Sequence, residues 1–429
     1  MNTTNLTLDF KLTEHKEKIK SLFLDKYFVK TRDADNNDIS VIENDFSRLI
    51  DSVIENEVEK CIKICEEITK HSINISLPYV VLIHEFIQFH KIIVGVMLEN
   101  YEKNDIYKIY NLQLIFEDII AKKYLDSYTQ NLLAKNHVRI SSLNDIYEKN
   151  IVQYYKAHLE WLSNLVKSVQ DKNNSFPETH YTLCTFGKWL ENVGRDVIQN
   201  NSKFKEIDKQ HQNLHLMATK IKSYLEQEEI EYHIILTYLE KAEMISLLLG
   251  TEMALIDNTL INSTVSKDPL TGALSRQKLS HLYTNQLEIS LATSQPFVVA
   301  ICDLDNFKNV NDSYGHIAGD KMLKGFVDTT KTHMRNSDMI IRYGGEEFVF
   351  IFPAVSYEIG KRILEKIRVA FEGFELEFEG NIIKTTVSIG MMEIDSNDGN
   401  LNIQEIEDAI SIVDKKLYHA KHEGKNKIV

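Results

Sequence analysis

From residue 10 to about 133, apolar residues recur at intervals of three and four, as at Ile54, Val58, Cys61 and Cys65. That is the spacing of one face of an α-helix. The pattern predicts four helical stretches, with Asp33-Ala34-Asp35-Asn36-Asn37-Asp38 separating the first two and Ser76-Leu77-Pro78 opening the third. A second helical segment is predicted from about 141 to 223, broken at 171–175 and 199–202. A long helix is then predicted to run to about 266. Its residues Ile221, Leu225, Tyr232, Ile235, Leu239, Ala242, Leu249, Met253, Ile256 and Leu260 step by threes and fours. This is the seam of a parallel coiled coil between two copies of the chain; an amphipathic helix packed on its own domain shows the same stripe. After 267 the period changes. Apolar runs at 297–302, 339–342, 348–352 and 383–389 read as strands alternating with helices, the pattern of an α+β or α/β domain. The expected chain is multidomain: a helical sensor-like domain at 1–140, a second helical domain at 141–220, a signalling helix at 221–265 and a mixed domain at 266–429.

Composition narrows the function classes. The chain has 429 residues, 43% hydrophobic and 26% charged, with a formal net charge of -14. An acidic chain is a poor sequence-independent binder of DNA or RNA, so no nucleic-acid partner is expected. A nucleotide remains possible, because metals and a few lysines can neutralise a triphosphate locally. The four cysteines, Cys61, Cys65, Cys184 and Cys302, do not form a secreted disulfide framework. Residues 1–11 are polar and lack the apolar core of a signal peptide. The most apolar stretch, 78–98, is interrupted by His84, Glu85, Gln88, His90 and Lys91, which argues against a membrane span. The expected location is the cytoplasm.

The C-terminal chemistry starts at Phe297-Val298-Val299-Ala300-Ile301-Cys302, a continuous apolar run expected as a central buried strand. It ends in Asp303-Leu304-Asp305, where a carboxylate can hold a divalent cation at a cleft. Two further strands flank Gly344-Gly345-Glu346-Glu347, which predicts a β-hairpin. The glycines permit positive φ and leave room for a ligand. If the hairpin lies beside the Asp303 strand, three acidic groups converge, an arrangement that is stable mainly with bound cations.

Residues from about 266 to 429 resemble the GGDEF family of diguanylate cyclases, with Glu where Asp is frequent. The resemblance runs through Asp268-Pro269-Leu270-Thr271-Gly272, Asp303-Leu304-Asp305-Asn306-Phe307-Lys308, Asn311-Asp312, Gly315-His316 and Gly319-Asp320. It continues through Arg342-Tyr343-Gly344-Gly345-Glu346-Glu347-Phe348, Ser388-Ile389-Gly390 and Leu417-Tyr418-His419-Ala420-Lys421. It implies a central antiparallel sheet with flanking helices, akin to polymerase palms and adenylyl cyclases. It also implies that two GTP molecules condense into cyclic di-GMP and pyrophosphate across a homodimer. By this resemblance Asp303, Glu346 and the Leu304 carbonyl bind Mg2+ (or Mn2+), and Glu347 helps deprotonate the 3′-hydroxyl or binds metal. Asn311 and Asp320 read guanine. Lys421 and Lys425 hold phosphates, Lys425 standing where many relatives carry Arg. Gly344 and Gly345 line the substrate, and Lys308 serves phosphate contact or packing. Arg335-Asn336-Ser337-Asp338 matches the family's inhibitory Arg-x-x-Asp site, which implies feedback by product at Arg335 and Asp338.

In the middle segment, His211 and His215 lie at i and i+4 on one helix face. With His158 and Cys184 they make a three-histidine, one-cysteine set that suits a closed tetrahedral Zn2+ site. Residues from about 145 to 220 resemble the chemoreceptor zinc-binding family, a four-helix bundle. The resemblance rests on His158, Cys184-x-x-Gly187-Lys188-Trp189-Leu190, His211 and His215, while Glu191 departs from the aromatic residue common after Trp-Leu. It implies regulation of the cyclase by zinc.

Residues 1–140 suggest no ligand. Cys61 and Cys65 lie one turn apart, and His84 and His90 fall in an apolar helix. They suit a redox, haem or second metal site, or else a plain core. Length and helicity also admit a globin-like sensor with His90 as ligand, without a supporting motif. Two other functions remain open beside the cyclase: a non-catalytic effector that binds GTP or cyclic di-GMP, and a zinc-sensing dimerisation scaffold.

Overall fold

A computed structural model of the chain describes residues 8, 12–25, 36–98, 101, 103–146, 151–172, 176–395 and 405–429. Residues 33–35 of the predicted separator and 173–175 of the predicted break lie outside these, as do residues 1–11 apart from Leu8. Asn36 to Asp38 open a helix rather than a loop.

The helical part runs α1 (Lys16–Lys20), α2 (Asn36–Ile54), α3 (Val58–Asn74), α4 (Tyr79–Met97), α5 (Lys103–Asp145), α6 (Val152–Asp171), α7 (Thr185–Trp189), α8 (Arg195–Val197), α9 (Asn201–Leu225) and α10 (Tyr232–Thr264). The mixed part follows: β1 (Leu274–Ser275), α11 (Leu279–Thr293), β2 (Phe297–Leu304), α12 (Phe307–Tyr314), α13 (His316–Lys331), β3 (Met339–Arg342), β4 (Glu347–Phe352), α14 (Tyr357–Glu372), β5 (Leu376–Phe378), β6 (Asn381–Ile383), β7 (Val387–Ile394) and α15 (Ile406–His422). The fold class is as expected, a mostly helical N-terminal region followed by a domain with a five-stranded central sheet and a separate two-stranded sheet of β5 and β6.

The chain divides into two compact units, one of residues 1–133, 164–176 and 216–242, the other of 134–163, 177–215 and 243–429. These units interleave along the sequence, so they do not coincide with the predicted blocks; α5 alone crosses the expected boundary at 140. In the first unit, α2, α3, α4 and the start of α5 enclose an aromatic core of Phe23, Phe46, Phe86, Phe89 and Phe116. Cys61 and Cys65 are free thiols buried in it. Burial pushes the Cys61 thiol up to about 12 and the Cys65 thiol further. His84 is exposed, and His90 lies edge-on to the Tyr110 ring.

The predicted long helix is two helices. Residues 226–231 interrupt it between α9 and α10. Four of those six residues are glutamates, and they offer neither an apolar residue for the stripe nor relief from like-charge repulsion. The stripe itself is covered within a single chain: Ile221, Ile235, Leu239, Ala242, Leu249, Met253 and Ile256 are all buried. Burial of these seven residues is what a packed amphipathic helix shows, while Leu225, Tyr232 and Leu260 of the same stripe are half-buried. Both α4 and α10 are long and apolar enough to cross a membrane by length and composition. In the structure α4 buries Leu82, Phe86, Phe89, Ile93, Val96 and Met97 in the helical core.

The sheet has strand order β1-β3-β4-β2-β7. Its four long strands are antiparallel neighbours, and the short edge strand β1 pairs parallel to β3. The sheet is thus mixed rather than purely antiparallel. Along β2 the side chains alternate between two cores. Val298, Ala300, Cys302 and Leu304 join residues of α12, α13 and α14. Phe297, Val299 and Ile301 join residues of α11 and α15. Burial on both faces explains why β2 is apolar throughout. The run expected at 383–389 is split, with β6 ending at Ile383 and β7 starting at Val387.

Candidate functional site

Pairing register builds the acidic end of the sheet. Asp303, at the end of β2, lies opposite Glu347 on β4 and Ser388 on β7. Glu346 sits in the turn between β3 and β4, and its carbonyl accepts from the Leu304 N–H at 3.4 Å. The predicted hairpin and its place beside the Asp303 strand are both present. Burial raises Asp303 above the usual carboxylate range. Burial and then the charge of Asp303 raise Glu346 and Glu347. Three crowded carboxylates of this kind favour a bound cation. The nearest positive charge is Lys421, in the last turn of α15, whose Nζ lies 2.8 Å from Asp303 Oδ2.

Gly344 and Gly345 act by space rather than by φ. Neither has a left-handed backbone; a Cβ on Gly344 would lie 2.5 Å from Glu347 Oε2, while one on Gly345 would meet no atom within 4 Å and leaves the turn open. The turn is held by residues to which the sequence assigned no role. Arg342 donates from Nη2 to the Gly345 carbonyl at 2.8 Å and from Nη1 to Asp268 at 3.1 Å. Asp268 in turn accepts from the Thr271 N–H and hydroxyl. The Asp-Pro-Leu-Thr-Gly turn therefore braces the hairpin at a distance in sequence, and its Asp268 was the available signal. Asp305 is a second anchor, 2% exposed. It accepts from Thr386 Oγ1 at 2.6 Å, Ser388 Oγ at 2.7 Å and the Asn426 N–H at 3.1 Å. It ties the end of β2 to the start of β7 and to the turn after α15. That turn is left-handed at Lys425 and sends its Nζ to Asn306 Oδ1 at 2.5 Å.

Asn311 on α12 faces α13. A Cβ at Gly319 would lie 2.0 Å from Asn311 Oδ1, so only glycine lets the amide sit there. Asp320 follows, exposed, and Lys308 is exposed on the first turn of α12. Arg335 and Asp338 lie in the loop before β3, away from the acidic end. Arg335 donates its N–H to Asp338 Oδ2 at 2.8 Å, and Asp338 returns its N–H to the Arg335 carbonyl at 3.1 Å. Both border a cavity of about 250 Å3 with Lys267, Lys331 and Asn262. Burial raises the Asp338 carboxyl to about 6.

The four predicted zinc ligands come together. His158 on α6, Cys184 before α7, and His211 and His215 on α9 are all buried, and one ligand atom from each lies within 4.8 Å of the other three. Among the described residues this is the one such group of histidine, cysteine and carboxylate side chains. Neither Cys61 nor Cys65 joins a similar group with His84 or His90. Cys184 Sγ lies 3.2 Å from His211 Nε2. Both ring nitrogens of His158 and Nδ1 of His211 are buried without a hydrogen-bond partner, a costly state that a metal bound through one nitrogen of each ring relieves in part. A tetrahedral zinc sets its ligands ~3.5 Å apart, so the set fits with a small contraction.

Surrounding residues fix the ligands. His215 Nδ1 donates to the Thr179 carbonyl at 3.1 Å, which puts the proton there and the lone pair on Nε2. Trp161 donates to the Glu178 carbonyl at 2.7 Å and stacks on His158. The Gly187 N–H donates to Cys184 Sγ at 3.2 Å. A Cβ on Gly187 would lie 1.9 Å from the Tyr181 carbonyl oxygen, which explains the glycine in Cys-x-x-Gly. Burial lowers His158 well below the usual imidazole range, His211 to about 3 and His215 to about 4. Burial also raises the Cys184 thiol.

Residues 265–427 match the family diguanylate cyclase, GGDEF domain. Residues 158–222 match the chemoreceptor zinc-binding domain. The chain carries both domains. Diguanylate cyclase DgcP of Pseudomonas aeruginosa is 34% identical over 161 residues, covering 38% of this chain and 23% of DgcP. The chain thus spans less than a quarter of that relative's length. Diguanylate cyclase DosC of Escherichia coli K12 is 23% identical over 395 residues, covering 87% of this chain and 81% of DosC. Among solved structures, the GGDEF domain of DgcB from Caulobacter crescentus in complex with c-di-GMP is 25% identical. It covers 38% of this chain and 91% of that one, with a TM-score of 0.35.

Proposed function

We propose that the chain is a diguanylate cyclase that joins two GTP molecules into cyclic di-GMP and releases two pyrophosphates, under control of zinc and of its own product. The observation that carries this reading is the strand register that sets Asp303 beside Glu347 and the Glu346 turn. A divalent cation, Mg2+ or Mn2+, held by Asp303, Glu346 and the Leu304 carbonyl would neutralise triphosphate charge and polarise the reacting phosphate. The rest falls to the protein's own groups, because phosphoryl transfer depends mostly on positioning and charge. The Asn311 amide and the Asp320 carboxylate complement the guanine edge. Lys421 exchanges Asp303 for a phosphate, and Lys425 supplies a second point charge where an arginine would grip in two places. Glu347 takes the proton of the attacking 3′-hydroxyl or shares the cation. One domain binds one GTP, so two copies must face each other. Support for product control comes from the Arg335–Asp338 loop and its cavity, and for zinc control from the buried ligand cluster.

The test is GTP and Mg2+ with the full chain, with and without a zinc chelator. Cyclic di-GMP is expected, at a rate that zinc removal changes, and Glu346→Ala is expected to abolish it. Product formed equally well by Glu346→Ala would defeat the assigned chemistry. A rate indifferent to confirmed zinc loss would defeat the regulatory part.

A further inference from the structure

Helix α11 is the first long helix of the catalytic domain, and its C-terminal end lies directly before β2, the strand that carries Asp303 near its end. A helix end leaves its last carbonyls unsatisfied and carries partial negative charge. Here groups from outside the catalytic domain satisfy it. Tyr155, on α6, is fully buried, and its hydroxyl donates to the Ala292 carbonyl at 3.3 Å. Arg139, on α5 and 5% exposed, donates to Ser294 Oγ at 3.5 Å. Ser294 is the left-handed residue that closes α11. Arg139 is itself fixed by Glu243 of α10 at 3.0 Å and by Asn136 at 3.1 Å. Gly250 of α10 makes room for the tyrosine ring, since a Cβ there would lie 2.2 Å from Tyr155 Cζ.

Tyr155 sits one turn before His158 on the same helix, and both are 2% exposed. Next to Tyr155 in sequence, Tyr154 stacks on Trp189 with ring centroids 4.9 Å apart, in the helix that Cys184 caps. The start of α6 is pinned by the Ile151 N–H donating to the buried Asp257 carboxylate at 2.8 Å. A metal that draws His158 toward Cys184, His211 and His215 therefore acts on a helix whose other contacts end on α11.

We propose that Tyr155 and Arg139 are positioning residues that link the His158 metal site to the catalytic domain by holding the C-terminal end of α11. This rests on the zinc and cyclase readings above. Metal binding fixes α6, Tyr155 then secures Ala292, and the attitude of the sheet bearing Asp303 is set for its meeting with a second copy. Loss of the metal loosens the hold.

Hydrogen–deuterium exchange on the full chain tests this, comparing zinc-loaded and chelator-stripped protein. In the wild type, zinc removal should speed exchange of the amides at 290–295, by about fivefold for one lost hydrogen bond. In Tyr155→Phe those amides should exchange fast whether or not zinc is bound, with zinc content equal to wild type. Gly250→Ala, which keeps the tyrosine but pushes its ring and hydroxyl out of place, should behave like Tyr155→Phe. Exchange at 290–295 that ignores zinc in the wild type overturns the proposal, as does a full zinc response in Tyr155→Phe. The cyclase rate of the same samples judges zinc regulation separately. A constant rate with zinc-dependent exchange ends the regulatory reading and leaves the link standing.

Discussion

Within the proposed zinc site, Cys184 is the side chain whose protonation matters at neutral pH. Burial keeps its thiol protonated and keeps the three imidazoles neutral, while zinc takes a thiolate. Zinc binding at pH 7 should therefore release about one proton, and none in Cys184→Ser. Calorimetry in buffers of different ionisation heat reads this number directly. Asp338 gives a second residue-level prediction. Its carboxyl is raised to about 6 by burial, so the folded state holds a proton that the unfolded chain has already lost. The favourable contribution is present at acid pH and disappears as pH rises through about 6. Asp338→Asn should thus be more stable than wild type at pH 8, with the gap closing at pH 4, as melting temperatures would show. Feedback inhibition should weaken below about pH 6, where Asp338 loses its charge, a trend that the inhibition constant measured against pH would reveal. These side chains were legible in the sequence as motif positions. The supports of the acidic hairpin were not, because Arg342, Asp268 and Asp305 act mostly through hydrogen bonds to residues distant along the chain.

At the scale of elements, strands were read well where one face rule applied. The run expected at 297–302 is β2, and the one at 339–342 is β3. The run at 383–389 failed because Lys384, Thr385 and Thr386 leave the strand. Lys384 pairs with Glu375, Thr385 bonds to the Asp305 carbonyl, and Thr386 bonds to the Asp305 carboxylate. The α10 stripe shows a deeper limit, because periodicity reveals an apolar face but not what covers it. The helices that carry the buried histidines give a prediction of their own. His211 and His215 are lowered to about 3 and 4 by burial, so the unfolded chain binds protons that the folded one refuses. Stability without metal is present above about pH 6.5 and is lost as pH falls toward 4. Zinc at a thousandfold excess over its Kd should add about 4 kcal/mol at pH 7 and far less at pH 4. Thermal melts of stripped and loaded protein would check this.

For the whole molecule, the sequence blocks and the compact units differ because packing joins segments that are far apart in sequence, such as 164–176 with 216–242. Order along the chain conceals that, while the sequence did disclose both clusters of side chains, the acidic hairpin and the buried histidine–cysteine group. If each chain supplies half of the catalytic site, specific activity should rise with protein concentration in dilute solution and then level off as dimers fill. A flat profile down to concentrations where light scattering shows monomers would count against the shared site. The central claim, synthesis of cyclic di-GMP, is tested most directly by chromatography of the nucleotides after the purified full chain is incubated with GTP and Mg2+. The account predicts one cyclic di-GMP and two pyrophosphates for every two GTP consumed. Bound GTP with no cyclic di-GMP, from a folded dimer with and without zinc, would contradict it.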